Sequence, residues 1–370
     1  MRIAYILGAG FSRLSGLPIQ SEFSTLLLAA EFSSALDKAI TEALGTFLAD
    51  VFGWRQGQAI PSLEDVFTSI DLSANTGHHL GIKYTPKKLR ALRRMAIYRV
   101  FSVLDRRFSY SSTISELLDH SVKSAGTDPP SFIVLNWDIV LEKHLEHRRP
   151  RPRIEYCCDA LDWNNPTIEP PDQLLGAVPI CKMHGSSNWV YCENCGALFF
   201  DLNEKISLHK KVGLIKADFR LFDESFTDRS FDESLGIDPE ARQCRRCNNM
   251  ISSHIATFSY RKSFRTHAYP AIWHRAGEIL ADATRWVFVG YSLPKADFEL
   301  KHLLKTAQLR YKHISGKPPK KIDVVVKGGA AREEFGKFFG ADQFAYFDEG
   351  LEQYVASLNG TTASSNSAQR

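Results

Sequence analysis

The stretch MRIAYILGAGFSRLSGLP, residues 1–18, decides the fold class. Ile3 to Leu7 is a short apolar run, Gly8 and Gly10 flank one alanine, and a helical pattern starts soon after Pro18. Strand, glycine turn and helix in this order open many α/β sheets, and glycine suits the turn because it tolerates conformations closed to other residues. Two familiar phosphate cradles do not fit. Arg13 stands where G-x-G-x-x-G needs its third glycine, and no Lys-Ser/Thr pair follows as a P-loop requires. A simple dehydrogenase and a P-loop ATPase are thereby disfavoured, and the meaning of the turn depends on the segments that accompany it.

Four further runs read as strands ending in glycine or small polar residues. They are SFIVLNW (131–137), with Asn136 and Asp138 at its end; AVPICKMHG (177–185), ending at His184; RWVFVGYSLP (285–294), with Gly290 and Ser292; and KKIDVVVKGG (320–329), ending at Lys327. Their near-continuous apolar character suits strands covered on both faces of a parallel sheet, whose ligand site lies beyond the carboxyl ends. Residues 24 to 125 read as mostly helical, with Ser62 and Asp65 placed as a capping box. The many basic residues of PKKLRALRRMAIYRVFSVLDRRF (86–108) read as a solvated face. The last stretch, 358–370, is poor in apolar residues and reads as a disordered tail.

Composition sets outer limits. A chain of 370 residues with 44% hydrophobic content can bury a large core. No stretch approaches the roughly 18 to 20 apolar residues of a membrane helix, and the start lacks the parts of a signal peptide, so a cytoplasmic protein is expected. The net charge of +4 is mild and makes nucleic acid an unlikely partner, since phosphate binding shows as clustered Lys and Arg.

The segments GAGFSRLSGLP, LNWD (135–138), KMHGSSNW (182–189) and VGYSLPKAD (289–297) together resemble the Sir2 superfamily, over residues 1–20 and 130–330. The resemblance is closest to the branch whose members often cleave NAD in prokaryotic antiviral defence. Protein deacetylases of the superfamily carry Gly-Ile-Pro-Asp-Phe-Arg after the glycine loop, whereas this chain has Gly16-Leu17-Pro18-Ile19-Gln20. The resemblance implies a Rossmann-like, doubly wound parallel sheet over 1–357 that cleaves the nicotinamide glycosidic bond of NAD. Asn136 and His184 would be its catalytic residues. Asp138 would receive the nicotinamide carboxamide. Gly8, Ala9, Gly10, Phe11 and Ser12, with Gly290, Ser292 and Lys327, would hold the rest of NAD, the pyrophosphate and adenine ribose being met by backbone N–H groups and a hydroxyl. The chemistry suits the residue types: an amide donates and accepts, and an imidazole takes a proton near neutral pH. Members of this branch often form homo-oligomers, sometimes with a translocating ATPase, so assembly or a phage-derived trigger is expected to restrain NAD loss. A sirtuin-type deacylase and a nucleotide sensor are the competing readings.

Cys192, Cys195, Cys244 and Cys247 form two Cys-x-x-Cys pairs, four thiolates that suit a closed, structural zinc site. The interval between pairs far exceeds the roughly 15 to 20 residues of a compact ribbon. Residues 201–240, polar and acidic with Phe-Asp-Glu-Ser occurring twice, read as an excursion from the knuckle and not as core. A helical insertion at about 24–125 and a zinc-ribbon-like insertion at about 186–250 are therefore expected. Cys157, Cys158 and Cys181 read as core. Arg242, Arg245 and Arg246 give the knuckle a weak nucleic-acid alternative.

Overall fold

The structure is a computed structural model that describes residues 2–28, 34–124, 129–166, 176–202, 214–224, 226, 243–249, 251–255, 268–295, 297–315 and 320–367. Among them are the strands β1 (Ile3–Leu7), β2 (Ser131–Val134), β3 (Ile154–Glu155), β4 (Ala160–Asp162), β5 (Val178–Lys182), β6 (Gly185–Tyr191), β7 (Leu198–Phe200), β8 (Ser252–Ile255), β9 (Arg285–Val289), β10 (Lys321–Val325) and β11 (Ala345–Phe347). The helices are α1 (Ala9–Arg13), α2 (Gln20–Leu26), α3 (Ala35–Phe52), α4 (Leu63–Thr76), α5 (Pro86–Arg107), α6 (Ser112–Ser124), α7 (Val140–His147), α8 (Lys216–Arg220), α9 (Ala268–Asp282), α10 (Phe298–Ser315), α11 (Arg332–Phe339) and α12 (Leu351–Ser367).

Seven strands form one sheet in the order β11-β10-β9-β1-β2-β5-β3, every pairing parallel. All five strands read from the sequence lie in it. The chain runs outward from β1 through β2 and β5, then returns to build the other half from β9. The order reverses beside β1, and in sheets of this kind the crevice at such a reversal takes the ligand. Ala4, Ile6 and Leu7 of β1 and Trp286, Val287 and Phe288 of β9 are fully buried, so layers cover both faces.

The helical region packs against the sheet as part of one continuous core. Ser62 accepts from the Asp65 N–H at 3.1 Å and donates to its carboxylate at 2.7 Å, the capping arrangement its spacing implies. The basic residues of α5, in contrast, are not simply solvated. Arg99 is fully buried and donates to the Asp37 carbonyl at 2.8 Å and the Thr41 hydroxyl at 3.0 Å. Arg93 pairs with Asp71 at 2.8 Å, and Arg94 makes a two-pronged pair with Asp218. Charge run alone does not report which guanidinium meets a buried acceptor.

Asp218 belongs to the excursion, and this corrects a second expectation. Leu214 and Phe219 are buried in the main core, so α8 is anchored to α5. Residues 203–213 and 227–242, with the second Phe-Asp-Glu-Ser and Arg242, lie outside the described residues. Helix α12 takes in most of the stretch for which composition predicts a tail. Among the described residues no helix is long and apolar enough to cross a membrane.

Candidate active site and metal centre

At the carboxyl end of β1 the backbone of the glycine turn meets that of β9 directly. Gly8 N–H donates to the Val289 carbonyl at 3.0 Å and Gly10 N–H to that of Gly290 at 2.9 Å. A Cβ on Gly290 would lie 2.1 Å from the Phe11 nitrogen, and one on Gly8 2.6 Å from the Gly290 oxygen. Gly290 also has φ of 64°, a left-handed conformation that favours glycine. The first demand on these glycines is therefore close passage of two strand ends.

That passage changes how the turn can meet a ligand. The N–H groups of Gly8, Gly10, Phe11 and Gly290 all donate to carbonyls, and Phe11 buries its ring in the core. Ala9, the first residue of α1, retains the N–H that a helix start leaves without an internal partner. The Ser12 hydroxyl is engaged too, donating to Asp138 Oδ2 at 2.7 Å.

Ser12 thereby joins the two strand ends. Asn136 Nδ2 donates to the Gly8 carbonyl at 2.8 Å and to Ser12 Oγ at 2.9 Å. Because the Gly8 carbonyl only accepts, the orientation of the Asn136 amide follows: both hydrogens are used and Oδ1 is left as its acceptor. Asp138 Oδ1 accepts from the Val140 N–H at 3.1 Å, at the start of α7, leaving lone pairs on both carboxylate oxygens for a ligand. His184 Nδ1 lies 3.0 Å from the Leu135 carbonyl, one residue before Asn136. A carbonyl cannot donate, so Nδ1 carries the hydrogen and Nε2 of the neutral ring holds the lone pair. A recess beside Asp138 is lined by Leu17, Leu104, Phe108 and Ile139, with Lys143 among its walls.

The structure thus brings Gly8, Gly10, Phe11, Ser12, Asn136, Asp138 and Gly290 into one hydrogen-bonded cluster, with Ala9 between its two glycines and His184 tied to the same loop. Ser292 and Lys327 are exposed at the ends of β9 and β10. Among the described residues no hydrogen bond joins their side chains to that cluster.

Behind Asp138 lies a pair the sequence reading passed over. Lys182 donates to the Asp138 main-chain carbonyl, and its ammonium is 3.4 Å from Glu142, with the two side chains 0% and 1% exposed. Burial pushes the Glu142 carboxyl above its ordinary range, and Lys182 pulls it back. A lysine inside the otherwise apolar run AVPICKM was the available signal.

The two Cys-x-x-Cys turns hang from a four-stranded sheet of order β4-β7-β6-β8, whose β6 starts directly after His184. Each pair is followed by a residue at positive φ, Gly196 at 71° and Asn248 at 58°, so the two knuckles turn alike. Gly196 N–H returns to the Cys192 carbonyl and Asn248 N–H to that of Cys244, both at 2.9 Å. All four Sγ atoms lie within 4.8 Å of one another, Cys192 to Cys247 and Cys195 to Cys244 at 3.5 Å. Four thiolates at Zn–S distances of about 2.3 Å would stand about 3.8 Å apart, so the donor set fits a closed tetrahedral site. The Asn249 backbone N–H, then its side chain, lower the Cys247 thiol to about 6, while burial lifts Cys244 to about 12. Cys157 and Cys181 are buried, as expected, and Cys158 is half-buried.

No protein-family model matches the chain, and no curated protein matches it. Its likeness is to solved sirtuin structures of low identity. A complex of Sir2 with p53 peptide and NAD+ is 13% identical, with TM-score 0.43, covering 98% of this chain and 93% of that one. A Sir2 homologue mutant with ADP-ribose gives the same four figures. A Sir2 complex with the inhibitor EX-527, 2'-O-acetyl-ADP-ribose and deacetylated p53 peptide is 12% identical, with TM-score 0.39, covering 98% and 94%.

Proposed function

We propose that this chain is a Sir2-like NAD glycohydrolase. The observation that carries the reading is the chain of hydrogen bonds Gly8–Asn136–Ser12–Asp138, set beside a histidine whose tautomer leaves Nε2 able to accept a proton. The four sequence segments that resemble the Sir2 superfamily supply these residues.

The reaction needs a positioned water, a place for the leaving amide and a proton acceptor. The bond between the ribose anomeric carbon and the pyridinium nitrogen breaks with its electron pair going to nitrogen, so nicotinamide leaves neutral. Water forms the new carbon–oxygen bond and yields its proton to His184 Nε2. Asn136 Oδ1 accepts from the water or a ribose hydroxyl. Asp138, which keeps lone pairs on both carboxylate oxygens, accepts from the carboxamide N–H. Cys192, Cys195, Cys244 and Cys247 would hold a zinc ion in a structural role, and His184 and Asn136 carry the chemistry.

The four-cysteine module beside His184 also favours a second reading, a sirtuin-type deacylase, since a peptide groove needs such a module. Purified protein incubated with NAD alone and with NAD plus an acetyl-lysine peptide separates the readings. Peptide-independent nicotinamide and ADP-ribose establish the hydrolase; peptide-dependent release of an acetylated ADP-ribose establishes the deacylase. NAD binding with no release in either case indicates a sensor. With the first outcome we propose a role in antiviral defence by NAD depletion, with activity restrained by homo-oligomer assembly, an ATPase partner or a phage-derived trigger, as the resemblance to the Sir2-like branch implies.

A further inference from the structure

The main chain of the loop from Leu135 to Asp138 is held at four points, one of them the Leu135 carbonyl, which accepts from His184 Nδ1 at 3.0 Å. Leu135 N–H donates to the Leu7 carbonyl at 3.0 Å, and the Trp137 carbonyl accepts from the Ser187 N–H at 2.7 Å. Both are main-chain bonds between neighbouring elements. At the far end of the loop the Asp138 carbonyl accepts from a buried charged side chain, the ammonium of Lys182. That ammonium is fully enclosed and depends on Glu142, whose Oε1 also accepts from the Tyr156 hydroxyl at 3.3 Å. Asn188 Nδ2 donates to the same hydroxyl at 3.0 Å. Glu142 Oε2 and Asn188 Oδ1 are buried and have no hydrogen-bond partner among the described residues.

An arrangement of this kind is a poor source of stability. A buried ion pair commonly does no better than apolar residues of equal volume, and orphaned buried acceptors add a further cost. Its presence next to Asp138 calls for another reason. We infer that Lys182 and Glu142 are positioning residues, which set the Asp138 main chain and thereby aim its carboxylate at the nicotinamide carboxamide. The inference rests on the NAD reading of the site. Lys182 acts through the carbonyl of Asp138 and touches no substrate atom; Glu142 acts one step further back by orienting the ammonium.

The test separates the nicotinamide half of the ligand from the rest. In Lys182→Met/Glu142→Leu the pair is replaced by apolar side chains, a change that tends to preserve folding. The KM for NAD and the inhibition constant for nicotinamide should each rise about tenfold, the size of one charge-assisted hydrogen bond, with kcat changed less. The Kd for ADP-ribose, which lacks the nicotinamide group, should stay unchanged. Adding Asp138→Ala should bring no further loss. If the double variant does not fold, Glu142→Gln and Lys182→Met carry the test: the first keeps the Asp138 contact and nicotinamide inhibition, the second loses inhibition. Equal weakening of nicotinamide and ADP-ribose, or no weakening of either, overturns the inference while wild-type turnover stands. A wild type that neither binds nor cleaves NAD overturns the reading of the site and the inference with it.

Discussion

Asn136 is held by two hydrogen bonds that leave Oδ1 as its acceptor, and the bond from His184 Nδ1 to the Leu135 carbonyl sets the tautomer of that ring. Asn136→Ala and His184→Ala should each lower nicotinamide release by about 100-fold or more, the usual worth of a positioned proton-transfer group. A chromatographic rate assay with NAD reads this directly. Ser12→Ala should cost less, about tenfold, because Asn136 keeps its bond to Gly8 and loses one of two constraints. Gly290→Ala should destabilise the fold by about 3 kcal/mol or more, since its Cβ would enter the Phe11 backbone at a left-handed φ; urea denaturation measures the loss. A fourth expectation concerns pH. Burial lowers the pKa of His144, which donates from Nδ1 to the Val140 carbonyl and accepts at Nε2 from the Ser111 N–H. The unfolded chain then binds the proton more readily, so stability from this group is complete above about 6.5 and is lost as pH falls below that value. Urea midpoints at pH 7.5 and 5.5 should differ more in wild type than in His144→Gln.

At the scale of elements, the strand ends were legible because glycine, asparagine and serine interrupt long apolar runs. β3 and β11 were not, being two and three residues long, too short for any period to register. Helix α5 showed its length but not its burial, since a solvated arginine and one paired with Asp218 or Asp71 have the same letter. The site was legible in its residue types and not in its wiring. Ser12 looked like a phosphate contact, yet its hydroxyl is spent on Asp138, and that depends on a partner 126 positions away. The cysteine spacing announced a metal centre, while the β4 contribution lay outside the bounds that spacing implies. One tightly held zinc per chain should be found by elemental analysis, and Cys247→Ser should lose it, with proton release on metal binding to the wild-type apoprotein.

Over the whole molecule, sheet and helical region share one core, whereas Leu161, Val190, Ala197 and Phe199 form a second small core around Cys192 and Cys244. Calorimetry should therefore give one main cooperative transition, with chelation removing a smaller one and leaving the main one in place. Strand β4, at 160–162, pairs with β7 across the chain's passage through β5, and β6 starts at Gly185, shortly after β5 ends at Lys182. The cysteine module is thus sewn into the sheet at two separate places. Cutting out 186–250 would not yield a smaller intact fold. It would strip β4 of its neighbour and leave an open edge, a surface on which another chain could add a strand. Removing the four-cysteine part as one block is therefore expected to disturb the segment around β4 as well.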